Sequence, residues 1–301
     1  MTSETRLIDV CICTYRRYSV VKTLASVAAQ QKIEGIRLRV VVADNDDTPS
    51  AEGIVRDQCN ALGLDYRYVH APARNISVAR NAALDATTAP LIAFIDDDEV
   101  ATPLWIAALL ECHAATAATI VFGPVQAIYG DGPTWLREAD LHSIRPAFRK
   151  GGVIDTGYTC NVLLDRAGMT DEMRACRFDP ALGRSGGEDT FFFHHLYSLG
   201  ARCAFTETAL VHEHVPSHRG RLQWLLQRAF RSGQTHARVL QTAQTGRPRL
   251  IATAAAKCGY CLVGMALRAP SPARWRHMAV RAALHAGVVC RAAGMPDLKI
   301  Y

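Results

Sequence analysis

Four acidic residues in a row, Asp96-Asp97-Asp98-Glu99, stand directly behind the apolar run Pro90–Ile95. A short β-rich apolar run reads as a strand buried on both faces, and such strands belong to parallel sheets covered by helices. Two further runs share the layout. Leu7–Cys13 ends in Thr14-Tyr15-Arg16-Arg17, and Leu38–Ala43 ends in Asp44-Asn45-Asp46-Asp47. Tyr18–Gln31, Ala51–Leu62 and Ile76–Ala86 read as helices, and Asp65–Val69 as a short strand. This alternation predicts an α/β fold with a mainly parallel central sheet flanked by helices. Ligands of such sheets bind beyond the carboxyl ends of the strands, so all three polar clusters are expected on one rim.

Adjacent carboxylates repel unless a cation neutralises them. Oxygen-rich sites of this kind favour Mg²⁺ or Mn²⁺, which in turn bind diphosphate oxygens. The plainer alternative is a solvated acidic turn, which leaves the two other polar strand ends unexplained. Further along come a helix over Trp105–Thr119, a strand over Ile120–Tyr129 and a long loop over Gly130–Gly152. Tyr158–Leu164 reads as a strand, Gly186–Leu199 as a helix opening on two glycines and two acids, and Ala204–Val211 as a strand followed by the His-rich VHEHVPSHR. Leu222–Leu240 is a helix, and Gly246-Arg247-Pro248 marks a break.

Charge is uneven. From Pro216 to Tyr301 there are fourteen Lys or Arg and one acid, Asp297; the net charge of the whole chain is +6, so the front portion carries −7. A cation site suits the front, and an anionic surface suits the back. No aromatic-interleaved basic motif points to nucleic acid. The ten cysteines show no paired framework, and Cys258-x-x-Cys261 has no second pair for zinc. MTSETR lacks the layout of a secretory signal, so a reducing cytoplasm is expected.

The order CICTYRR, VVVADND, ARNISVARNAAL, FIDDDE and GGED resembles family 2 glycosyltransferases, in particular bacterial exopolysaccharide glucosyltransferases of the succinoglycan type. The likeness runs from about residue 7 to 235. It implies the GT-A nucleotide-diphospho-sugar transferase fold, with a domain over 1–245 (nucleotide-binding 1–125, acceptor side 126–245) and a C-terminal helical appendage over 246–301. It also implies inverting transfer from a uridine diphosphate sugar with Mn²⁺ or Mg²⁺. By the same resemblance Thr14, Tyr15 and Arg17 lie against the nucleoside, Asp44 accepts from the base, and Arg80 and Asn81 lie near the diphosphate. Asp98 is the expected metal ligand, Asp96 faces the ribose or sugar, and Asp97 gives support. His212 or His214 completes the metal site, with His214 preferred. Asp189 is the expected base and Glu188 its positioning partner, although two acids in a first helical turn also complement the helix dipole without catalysis. Asn161 is expected near the sugar or acceptor.

The chain departs from the family's Gln-x-x-Arg-Trp pattern of processive members, carrying Gln223-Trp224 and Gln227-Arg228, which favours addition of a single sugar. Two apolar stretches, Leu250–Leu267 and Met278–Ala293, are interrupted by basic residues. They are expected to lie in a membrane interface, at the cytoplasmic face of the inner membrane, beside a saccharide or polyprenyl-diphosphate-linked acceptor. The competing readings are a sugar-nucleotide nucleotidyltransferase, which would need a glycine-rich loop that CTYRRYSV lacks, and a non-catalytic scaffold with the same fold.

Overall fold

The computed structural model describes residues 5–242 and 246–298. The reading of MTSETR and the expected boundary at residue 245 fall wholly or partly outside them. The chain forms two compact units. One comprises Met1–Gln126, Ile144–Arg184 and Glu188–Glu213; the other comprises Ala127–Ser143, Ser185–Gly187 and His214–Tyr301.

The first unit begins β1 (Arg6–Thr14), α1 (Val20–Ala28), β2 (Ile36–Asp44), α2 (Glu52–Leu62), β3 (Asp65–His70), α3 (Ile76–Ala86) and β4 (Leu91–Ile95). It continues through β5 (Glu99–Ala101), α4 (Trp105–Thr116) and β6 (Ile120–Phe122). β7 (Val125–Tyr129) and α5 (Thr134–Ala139) follow in the chain and fall mostly in the second unit; the first resumes with β8 (Asn161–Asp165), α6 (Asp171–Ala175), α7 (Glu188–Ser198), β9 (Cys203–Phe205) and most of β10 (Val211–Val215). The main sheet has the order β3-β2-β1-β4-β8-β6-β9. β1 pairs parallel with β2 and β4, and β2 with β3, while β8 runs antiparallel to β4 and β6. Chain direction thus puts the ends of β1, β2 and β4 side by side, with Thr14 level with Asp44.

The uninterrupted apolar run of β1 has a cause in this layering. Ile8, Val10 and Ile12 enter a core with Leu24 and Val27 of α1 and Trp105 of α4. Cys11, on the opposite face, enters a second core with Ala79 and Ala83 of α3 and Phe192 and Phe193 of α7. A strand covered on both sides has no solvated face to carry polar residues.

Three details depart from expectation. Pro124 follows Gly123 where one strand was expected, and a residue without an N–H cannot continue the ladder, so β6 ends before β7 begins. VHEHV does not follow a strand but is itself β10, antiparallel to β5, with His212 opposite Val100 and Glu213 opposite Glu99. The expected loop over Gly130–Gly152 contains α5.

The second unit is dominated by three helices of 21 residues, α8 (Leu222–Thr242), α9 (Arg247–Leu267) and α10 (Pro272–Ala292). α8 groups with these helices rather than with the sheet, because it crosses α10 at two glycines. A Cβ on Gly233 would lie 1.9 Å from the Leu284 carbonyl, and one on Gly287 1.9 Å from that of Phe230. Among the described residues α9 is the one helix long and apolar enough to cross a membrane, with a mean hydropathy of 1.6 over its best window.

Gly287→Ala sets two effects against each other. Alanine favours the helix by about 1 kcal/mol, whereas overpacking costs about 1–3 kcal/mol and backbone atoms have least room to move. We expect a net loss of stability in urea unfolding; a gain would show that the helices are not held this close.

Candidate active site

The four acids fold into a turn closed on itself. Glu99 N–H donates to the Asp96 carbonyl (3.2 Å), Asp96 N–H donates to the Glu99 carboxylate (2.8 Å), and the Thr23 hydroxyl of α1 donates to the Glu99 carbonyl (2.7 Å). Glu99 is buried, and loss of water, then Asp96, pushes its pKa well up. From the end of β1 the Thr14 hydroxyl donates to Asp97 (2.8 Å), and Arg17 donates to both Asp97 (2.8 Å) and Asp98 (2.6 Å). The turn therefore carries its own counter-ion.

The loop after β2 is braced in the same manner. Asp44 is fully buried and accepts from Asp46 N–H (3.0 Å), Ala51 N–H (2.8 Å) and the Tyr68 hydroxyl (2.7 Å). Arg16 bonds both oxygens of Asp46 and holds its pKa down at about 2; Arg74 pairs with Asp47. Both arginines have left-handed backbones, φ 52° and 46°. Side chains rarely adopt this conformation outside sites that hold it in place, and here two ion pairs do so.

Deeper in the first unit, α3 begins at Asn75, whose side chain accepts from Ser77 N–H (3.0 Å) and Val78 N–H (3.4 Å). One turn on, Arg80 is 7% exposed and ion-paired with buried Glu188 at the start of α7. Burial opposes its charge, but Glu188, Asp96 and Asp189 outweigh burial and raise its pKa. The acid turn and the Glu188–Asp189 pair thus share one guanidinium. Burial, then Glu188, lifts Asp189 to about 6 against the pull of Arg80. Burial likewise lifts Asp96 to about 7, with Asp98, Asp97 and Glu213 adding to it against Arg80.

Buried polar atoms nearly always have partners, so those without mark places of interest. Among the described residues of the first unit three side-chain atoms have none: Thr159 Oγ1, Glu188 Oε2 and His212 Nδ1. Glu188 belongs to the Arg80 cluster. His212 lies opposite Val100, just past the acid turn. Thr159 leads into β8, whose Asn161 pairs with Ile95, so the chain before it continues alongside the turn.

Several expected contacts are replaced by others. Asp44 bonds its own loop and Tyr68, so it organises the loop. Thr14 and Arg17 turn to the acids instead of outward, leaving Tyr15, 37% exposed, as the open residue of that trio. Asn81 exchanges two 2.8 Å hydrogen bonds with the Phe178 backbone, locking α3 to the segment before α7. Asn161 is fully buried, accepting from Trp105 Nε1 (2.8 Å) and donating to the Pro124 (2.9 Å) and Ala209 (2.7 Å) carbonyls, so it holds the core instead of facing a ligand. No three His, Cys, Asp or Glu side chains gather as a metal cage among the described residues. Arg16, Tyr68, Thr159 and Glu213 belong to the site but were not expected there. The H-E-H repeat at β10 was the one available signal for Glu213, whose charge acts on Asp96 and Glu99.

A sheet of this order, with an acid turn behind β4 and a buried Arg–Glu–Asp cluster beside it, is the GT-A glycosyltransferase architecture. The chain belongs to Glycosyl transferase family 2, whose pattern residues 9–170 match. It is 46% identical over 304 residues to succinoglycan biosynthesis protein ExoM of Rhizobium meliloti (strain 1021), covering 100% of this chain and 97% of that protein. It is 30% identical to validoxylamine A glucosyltransferase of Streptomyces hygroscopicus subsp. limoneus over 49% of the chain and 32% of that protein. Among solved structures the fold resembles the mannosyltransferase PcManGT of Pyrobaculum calidifontis in complex with GDP-Man and Mn²⁺, with a TM-score of 0.61 and 19% identity over 94% of this chain and 86% of that one. It also resembles S. aureus TarS 1-349 in complex with UDP-GlcNAc, with a TM-score of 0.55 and 14% identity over 91% and 90%.

Removing Arg80 strands a buried carboxylate. Arg80→Met is expected to cost about 3–5 kcal/mol in denaturant unfolding, with Arg80→Met/Glu188→Gln recovering most of it. A loss below about 1 kcal/mol would show the pair to be solvated.

Proposed function

We propose that this glycosyltransferase moves a single sugar, with inversion, from a uridine diphosphate sugar to a hydroxyl of a lipid-linked or saccharide acceptor in exopolysaccharide synthesis, at the cytoplasmic face of the inner membrane. The observation that supports it is the grouping of buried Arg80 and Glu188 with Asp96 and Asp189, two carboxyl groups of raised pKa. ExoM is named for succinoglycan biosynthesis, and UDP-GlcNAc occupies the TarS complex; both agree with this donor and product class.

In the proposed mechanism Asp189 takes the proton of the attacking hydroxyl as its oxygen approaches the sugar carbon opposite the leaving diphosphate. Glu188, tied to Arg80, fixes the start of α7, and its unpartnered Oε2 is free to accept from the acceptor sugar. Tyr15, exposed at the end of β1, packs against the base. The acid turn fits a hard divalent cation: Asp98, with Asp96, would hold Mn²⁺ or Mg²⁺, an ion that needs only one or two protein carboxylates when phosphate oxygens complete its shell. That ion supplies positive charge where the departing diphosphate gains negative charge. Arg17, already bonded to Asp97 and Asp98, adds a second cation there. A nucleotidyltransferase or inert scaffold gives Asp189 no comparable task.

Asp189→Asn is expected to lower kcat about 10²–10⁴-fold with little change in KM. Asp189 works unprotonated and its pKa is raised to about 6, so activity should be lost as pH falls through 6 and level off above it; the Asn variant should lack that limb. A pH–rate profile of kcat/KM checks both, and a flat wild-type profile between pH 5 and 7 would remove Asp189 from this role.

UDP should raise the melting temperature of the wild type more with Mn²⁺ than without, and Asp98→Ala should lose the difference. If no uridine nucleotide stabilises the protein in either condition, the donor assignment fails.

A further inference from the structure

The second unit holds a cluster of cations that the transfer chemistry does not use. Between α9 and α10 lies a groove of 340 Å³ lined by Ala256, Lys257, Tyr260, Cys261, Arg281 and His285. Lys257 comes from α9, while Arg281 and His285 sit one turn apart on α10 and so share a face. Like charges brought together are unfavourable unless an anion answers them. The sole acid among the described residues of this tail, Asp297, is already paired with Arg238 and Arg291. Burial, then Lys257 and Arg281, lowers the pKa of His285, which keeps its imidazole neutral with one N–H to donate. Two cations and one neutral donor lining a groove are a match for a phosphate group.

A second, independent observation says what carries that phosphate. Beside Lys257, α9 exposes Tyr260 (63%), Val263 (62%) and Leu267 (76%), spaced so as to share one helix face. A different side of the helix is the packed one, through Leu250, Ala254, Cys261 and Gly264. Only 22% of its most apolar window is buried. A soluble phosphate metabolite would gain nothing from that apolar face. A phospholipid in a bilayer presents a phosphate and, just beneath it, an apolar layer.

We propose that the α9–α10 groove binds the phosphate headgroup of an anionic membrane lipid, with Tyr260, Val263 and Leu267 entering the apolar boundary of the same leaflet. This deepens the membrane reading above and rests on it, but it does not depend on the transfer mechanism. Basic groups contribute near an anionic surface and apolar side chains add to the attraction, so both halves of the surface act together.

The test is flotation of the full chain with vesicles of phosphatidylcholine alone and of phosphatidylcholine mixed with phosphatidylglycerol. Wild type should partition onto the mixed vesicles and much less onto the neutral ones. Lys257→Gln/Arg281→Gln should weaken partitioning roughly thirty-fold, at about fivefold for each basic residue removed, while Lys257→Arg/Arg281→Lys retains it. Val263→Ser/Leu267→Ser should also release the protein. Arg247→Gln/Arg249→Gln, at exposed positions of α9 outside the groove, serves as the control. An equal loss in that control would reduce the groove to diffuse attraction and overturn the proposal, as would equal binding of wild type to both vesicle types. Failure of wild type to bind either vesicle would overturn the membrane reading itself. Thermal stabilisation by inorganic phosphate that vanishes in Lys257→Gln/Arg281→Gln, without vesicle binding, would assign the groove to a soluble anion instead. Hydrolysis of the sugar nucleotide in solution should be unchanged in every variant, which keeps a failure here separate from a failure of the transferase reading.

Discussion

A guanidinium with little water around it holds this site together. Arg80 is bonded to Glu188 and feels Asp96 and Asp189 as well. Two unit charges 4 Å apart interact by about 4 kcal/mol at an effective dielectric of about 20. Dehydrating one ion costs several kcal/mol, so a single partner is not enough to offset it and several carboxylates sharing the cation are. The consequence is geometric. The turn after β4 and the start of α7 are far apart in sequence, yet neither can leave without stranding charge in the interior. Arg17 does the equivalent work at the more accessible side of the turn, for Asp97 and Asp98.

Strand order is what allows those charges to meet. With β1 between β2 and β4, three polar strand ends fall on one edge, and the arginines that follow β1 are within reach of both acidic loops. Arg16 goes to Asp46 and Arg17 to Asp97 and Asp98. Adjacent residues can serve opposite sides only because the chain turns sharply between them, and the left-handed backbone of Arg16 is that turn. Strain at one residue separates two loops that would otherwise compete for the same cation.

The alternation of elements and the carriers of charge were legible in the sequence, because a buried strand must be apolar throughout and an acid cluster must find cations. What each polar side chain touches was not. Asn161 and Asp44 stand in motifs and looked like ligand contacts, but a buried amide or carboxylate can be satisfied by backbone groups from any element that packs there, and periodicity carries no information about those. Arg16 and Arg17 are neighbours of one type, and only φ distinguishes their tasks. β5 and α6 were missed because three and five residues are too few to show a period. The grouping of α8 with the tail depended on Gly233 and Gly287 each meeting the backbone of the other helix, at positions with no side chain to reveal it.

Net charge by itself misdescribes how the two units act on an anion. The front of the chain is acidic by count, which suggests that it repels a diphosphate. Yet its functional acids are answered in place: Asp46 by Arg16, Asp47 by Arg74, Asp97 and Asp98 by Arg17, and Glu188 by Arg80. Paired charges project little field beyond about one Debye length, roughly 8–10 Å at physiological salt. The basic tail differs in kind, because Lys257 and Arg281 face each other across a groove with no carboxylate among their described neighbours. The first unit keeps its net negative charge, so long-range attraction for anions originates in the second unit, where basic residues outnumber acids. At the acid turn selection then acts at contact distance, through carboxylates held in place by their own arginines.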